Sequence, residues 1–156
     1  MNNYTLINTE NINEARQEIE NATKSGRKII VVAKSSEFNR KIFENKREKI
    51  IIGLESGHKR DKLKQRDSGL NQVLCKLAKE NSIEIGINIK EIFEKNRIDL
   101  ALHLARLMQN INLCKKYKAR MIIFNSGSIN ENTLISLLIT LGMPTDMAKY
   151  AIGNKF

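Results

Sequence analysis

Apolar residues fall along this chain in two alternating rhythms. Short continuous β-branched runs occur at residues 28–33, 49–54, 83–87 and 121–124, with a shorter candidate at 4–7. Such runs predict strands buried on both faces, as in parallel sheets. Between them the spacing changes to that of helices. Ile12, Ala15, Ile19 and Ala22 share one helical face, and Gly26 suits the stop. Ser35 or Ser36 can cap a helix carrying Phe38, Ile42 and Phe43. After a polar stretch at 55–67, Leu70, Val73, Leu74, Leu77 and Ala78 predict a helix opening at Asp67 or Ser68.

The second half continues the alternation. A short helix with Ile89, Ile92 and Phe93 precedes a longer one with Leu100, Leu104, Leu107, Ile111 and Cys114. Lys115, Lys116 and Lys118 close the longer one, where cations complement the helix dipole. Ser128 and Glu131 fit a capping box for a helix with Leu134, Leu137, Leu138 and Leu141, which Gly142 can end. Pro144 suits the first turn of a last helix, which Gly153 closes. Five strands alternating with helices predict an α/β domain spanning 1–156, with a mostly parallel sheet. Periodicity alone does not separate an open doubly wound sheet from a partial barrel.

With 41% hydrophobic residues the chain can build a core, and no apolar run is long enough for a membrane helix. The N-terminus lacks a signal-peptide pattern. The expected location is the cytoplasm, with Cys75 and Cys114 as reduced thiols in packed helices.

Enzymatic signals are sparse. Two isolated histidines, His58 and His103, do not make a multi-histidine metal site. His103 is expected on a helix surface beside Asp99, four residues earlier; His58 is expected to touch RNA or solvent. No glycine-rich phosphate loop occurs. Asn125-Ser126-Gly127-Ser128 follows a strand and precedes a helix; it reads chiefly as a tight capped turn, with anion binding as the alternative.

Charge changes the picture. The chain carries a net +10, and residues 58–79 hold seven cations against two acids. Lys59, Arg60, Lys62, Lys64 and Arg66 crowd a loop leaving the C-terminal end of a strand, where ligands approach α/β sheets. Lysine and arginine together suit phosphate backbones. Aromatics are only 5% of the chain and absent from this loop, so recognition by shape and backbone is favoured over base stacking.

The segment Arg66-Asp67-Ser68-Gly69-Leu70-Asn71-Gln72-Val73-Leu74-Cys75-Lys76-Leu77-Ala78 resembles the signature of the ribonuclease P protein component 3 family. This is the archaeal relative of the thirty-kilodalton eukaryotic ribonuclease P subunit. The run at 83–87, the basic residues 115–118 before 121–126, and residues 134–143 also resemble that family. The resemblance implies a TIM-barrel-like α/β fold of the polymerase and histidinol phosphatase superfamily. It implies a non-catalytic subunit of the ribonucleoprotein that removes the 5′ leader from precursor tRNA. Expected partners are ribonuclease P RNA, protein component 2 and other protein subunits, with precursor tRNA as substrate of the holoenzyme. No cofactor is expected on the protein; Mg²⁺ is expected at the RNA subunit. Gln72 stands where the family has histidine. With five evident strands the barrel is expected to be shortened, as if a first strand–helix unit were missing, leaving an edge to be covered by a partner or a second copy.

In this reading Lys59, Arg60, Lys62, Lys64 and Arg66 neutralise RNA phosphates. Asp67 or Ser68 caps the next helix, with a salt bridge to Arg66 or a nearby lysine as the second role for Asp67. Gly69 allows a close turn, and Asn71 and Gln72 complete the motif. The alternatives are a degenerate metal-dependent phosphoesterase of the same superfamily and a scaffold whose basic loop meets an acidic protein.

Overall fold

The computed structural model describes residues 3–56, 61 and 63–155. Its elements run β1 (Tyr4–Ile7), α1 (Ile12–Lys24), β2 (Lys28–Val32), α2 (Ser36–Glu44), β3 (Lys49–Ile52), α3 (Gln72–Glu80), β4 (Ile83–Asn88), α4 (Ile89–Glu94), α5 (Arg97–Tyr117), β5 (Met121–Phe124), α6 (Glu131–Thr140) and α7 (Thr145–Gly153). All five predicted strands are present, and every pairing is parallel.

Strand order settles which kind of α/β sheet this is. The strands lie side by side in chain order, β1-β2-β3-β4-β5. A doubly wound sheet reverses direction at a switch point; this one does not. Sequential order, with crossovers of one hand, is consistent with a TIM-barrel-like or partial barrel arrangement. The two cores agree. Ile29, Val31, Ile51, Ile85, Ile87 and Met121 face the helices and join the main core. Ile30, Ile50, Ile52 and Ile122 face the other way, packed with Tyr4, Val32, Phe124 and, from α7, Tyr150. On that concave face a Cβ on Gly86 would lie 2.5 Å from the Ile52 Cγ2 atom, so isoleucines of β3 fill the space above the glycine.

Three expectations about helix ends and faces change. Asn71, not Asp67 or Ser68, caps α3, its side chain accepting from the Leu74 N–H. The Asp67 carboxylate is occupied by the Gly69 N–H at 3.0 Å, in a turn that must finish before the helix begins. On α3, Val73 is 52% exposed, and Cys75 takes its place in the core beside Leu74 and Ala78. For α6, Asn130 replaces the Ser128–Glu131 capping box, accepting from Asn132 N–H, while Glu131 pairs with Lys155. Residues 125–128 do form a tight turn, with Asn125 and Gly127 at positive φ and Ile129 N–H donating to the Ser126 carbonyl.

Among the described residues no helix is long and apolar enough to cross a membrane.

Candidate nucleic-acid interface

The loop after β3 leaves the C-terminal edge of the sheet, as a ligand-binding loop of a barrel would. Lys59, Arg60 and Lys62 lie outside the described residues; Lys64 and Arg66 are both exposed. Leu63 between them is fully exposed. Lys64 forms no ion pair among the described residues.

The cationic segment is held from beneath by one face of α5. Asp61 accepts from Arg106 at 3.2 Å and from the Asp67 N–H at 2.9 Å. The Asp67 N–H, then Arg106 and Arg66, hold the Asp61 carboxyl below its usual range. One helical turn on, Gln109 Nε2 donates to the Arg66 carbonyl at 3.2 Å and Asn110 Nδ2 donates to the Ser68 carbonyl at 3.1 Å. Gln109 and Asn110 therefore hold the loop backbone and Arg106 holds the Asp61 carboxylate, while the Arg66 side chain is left to solvent. Asp67 accepts from the Gly69 N–H, and among the described residues it forms no salt bridge with Arg66 or a lysine.

Gly69 and Gln72 have definite work here. Gly69 sits at φ +78, and a Cβ there would lie 2.1 Å from the Leu54 carbonyl oxygen. Only glycine allows this approach of the two ends of the loop. The Gln72 side-chain oxygen Oε1 accepts from the Tyr117 hydroxyl at 2.9 Å, tying the start of α3 to the end of α5. Ser68 is buried, with its hydroxyl 3.5 Å from the Leu70 carbonyl.

Beneath the loop lies a buried titratable pair that the sequence placed elsewhere. His103 was expected beside Asp99 on a helix surface; it is 3% exposed and faces Glu55, 3.6 Å away and itself 2% exposed. Asp99 instead accepts from Asn96 at the start of the helix. Burial raises the Glu55 pKa to about 7 and lowers that of His103. Nearby, Glu91 accepts from the Ser56 hydroxyl at 2.6 Å and pairs with Lys95. Those partners outweigh the burial that would raise its pKa and leave it lowered.

A cleft of about 420 Å³ opens beside the loop, lined by Arg66, Gly69, Asn71, Arg40 and Gln109. Arg40 comes from the second turn of α2 and was not singled out by sequence, since nothing in α2 signals proximity to the loop. Arg106 and Asn110 carried a faint signal: polar residues four apart beside the apolar stripe of α5. No group of three or more His, Cys, Asp or Glu side chains suited to a metal occurs among the described residues.

No family model matches the chain. Curated proteins do. It is 33% identical over 66 residues to a ribonuclease P protein component 3 of Methanococcus vannielii, covering 42% of this chain and 28% of that protein. It is 30% identical over 94 residues to a ribonuclease P protein component 3 of Methanosarcina acetivorans, covering 57% of this chain and 39% of that protein. The chain is similar to ribonuclease P protein component 3. It matches well under half the length of these component 3 relatives. The fold agrees with a chain in the cryo-EM structure of archaeal ribonuclease P with mature tRNA. That match has a TM-score of 0.76 at 23% identity and covers 94% of this chain and 62% of the other.

Proposed function

We propose that this protein is a subunit of ribonuclease P that binds and supports the catalytic RNA, and that the chain is not itself the catalyst. The observation that carries the reading is the run of cations after β3, at the C-terminal edge of the sheet, whose described part is tied to α5 through Asp61, Arg66 and Ser68 while the Lys64 and Arg66 side chains face solvent. A fixed array of cations offsets the mutual repulsion of phosphates in a folded RNA at a lower ordering cost than a mobile one. The likeness to component 3 proteins supports the same reading. Partners under this proposal are ribonuclease P RNA, protein component 2 and the other protein subunits, with precursor tRNA cut by the holoenzyme. Mg²⁺ belongs to the RNA subunit, the superfamily is that of the polymerase and histidinol phosphatase proteins, and the compartment is the cytoplasm.

The test measures binding to an archaeal ribonuclease P RNA transcript at stepped KCl concentrations. Affinity should fall steeply with salt as counterions are released. Replacing Lys62, Lys64 and Arg66 by Ala should lower the slope of log Kd against log[KCl] by about 2. An unchanged slope rejects the loop as the contact surface. Reconstitution with protein component 2 and that RNA should then raise precursor-tRNA cleavage at moderate Mg²⁺.

A further inference from the structure

A second basic surface lies away from the loop, and only the tertiary structure assembles it. A shallow groove between α3 and α5 is lined by Lys76, Lys79, Lys116 and Lys118, with Tyr117 along it and Glu80 as the one acid. All four lysines are exposed. The Lys76 and Lys116 ammonium groups stand 6.0 and 5.5 Å from the centre of the Tyr117 ring. The ring is fixed in turn by its hydroxyl bond to Gln72.

We propose that this α3–α5 groove is a second seat for RNA phosphate backbone, separate from the loop; it deepens the subunit reading above and rests on it.

Other surface helices of the same chain provide the contrast. On α2, Lys41 pairs with Glu37 and Arg40 with Glu44; on α4, Lys90 pairs with Glu94, and Lys95 just beyond it pairs with Glu91. Each of those cations has an acid four positions away, the usual arrangement of a solvated helix face. In the groove only Lys76 has an acid four positions away, Glu80, and among the described residues neither it nor the other three lysines form an ion pair. Dipole compensation accounts for Lys79 and Lys116 in last turns but not for Lys76, which is in the middle of α3. Four like charges around one groove raise the energy of the free protein, and a polyanion relieves that repulsion.

The chemistry favours RNA over an acidic protein. Protein interfaces are depleted in lysine and rely on aromatic or aliphatic anchors. Here the lone aromatic is half-buried and already bonded. Lysine is a compact point charge that meets phosphate oxygens without demanding a fixed geometry.

The experiment uses the full chain and the same RNA transcript. It compares the triple variant Lys76→Ala, Lys79→Ala, Lys116→Ala with its Lys→Arg counterpart and with a loop variant, Lys64→Ala, Arg66→Ala. The groove alanines should lower the salt slope by about 2 beyond the loop's own effect, and the arginines should restore it. Lys76, Lys79 and Lys116 should also be protected by RNA from acetylation by an N-hydroxysuccinimide ester. Melting followed by circular dichroism identifies any variant whose fold has failed, and the protection measurement on the unmodified chain then decides. A wild-type slope in the groove alanines, with a reduced slope in the loop variant, overturns the groove and leaves the subunit reading intact. Wild-type protein that fails to bind the RNA at low salt overturns both. If RNA binding is unchanged while a polyglutamate probe loses binding to the groove alanines, the seat is for an acidic protein and the proposal is wrong.

Discussion

Gly69 carries a large steric constraint. Any Cβ there meets the Leu54 carbonyl oxygen at 2.1 Å in a backbone conformation that disfavours side chains. Gly69→Ala should therefore destabilise the protein by about 2–4 kcal/mol, read from urea unfolding. A loss below roughly 0.5 kcal/mol, the size of an ordinary surface change, would show that the loop ends can separate freely. Glu55 makes a different prediction. In the unfolded chain it loses its proton near 4.5, and in the folded chain near 7. Between those values the folded state binds more protons, so this residue's contribution makes stability fall as pH rises. His103 acts in the opposite direction: its lowered pKa makes stability fall as pH drops through about 6.5, its ordinary value. Glu55→Gln should raise Tm at pH 8 by several degrees, roughly 2 kcal/mol, and change it little at pH 5. Equal shifts at both pH values would contradict a buried carboxylate.

Among the elements, α3 shows how a helix start is chosen. Three residues near it can cap: Asp67, Ser68 and Asn71. The turn around Gly69 uses the first, burial removes the second, and the third accepts from Leu74. Asn71→Ala should cost about 1 kcal/mol, whereas Ser128→Ala, near the true α6 cap Asn130, should cost less. Comparable losses in thermal melts would mean that cap identity is not what limits these helices. The stripe on each helix was legible because apolar spacing survives any choice of partner. Caps were harder to read, because several residues compete for each and the winner depends on neighbouring turns. Exposed Val73 and buried Cys75 mark the same limit, since the angular position of α3 is set by what it packs against, including α5.

At the scale of the whole molecule, a net +10 on a small fold produces self-repulsion that the free protein must tolerate. Raising NaCl from about 0.05 to 0.3 M shortens the Debye length from roughly 14 to 6 Å and should raise Tm of the free chain. The same salt should weaken RNA binding, so stability and affinity move in opposite directions. A Tm that falls with salt would indicate that attractive pairs outweigh the repulsion. The convergence of the α3 and α5 lysines also belongs to this scale, because the two groups are some forty residues apart in sequence.

By itself, the sequence determined the five strands, the helices between them and the excess of cations after β3. Each follows from local spacing, β-branching or a count of charges, which neighbours elsewhere in the chain do not alter. Tertiary structure decided the sequential strand order, the burial of His103 against Glu55, the grip of Arg106, Gln109 and Asn110 on the loop, and the pairing of Gln72 with Tyr117. Those depend on which segments meet across 30 to 50 residues, and side-chain pattern along one segment holds no record of the distance to another.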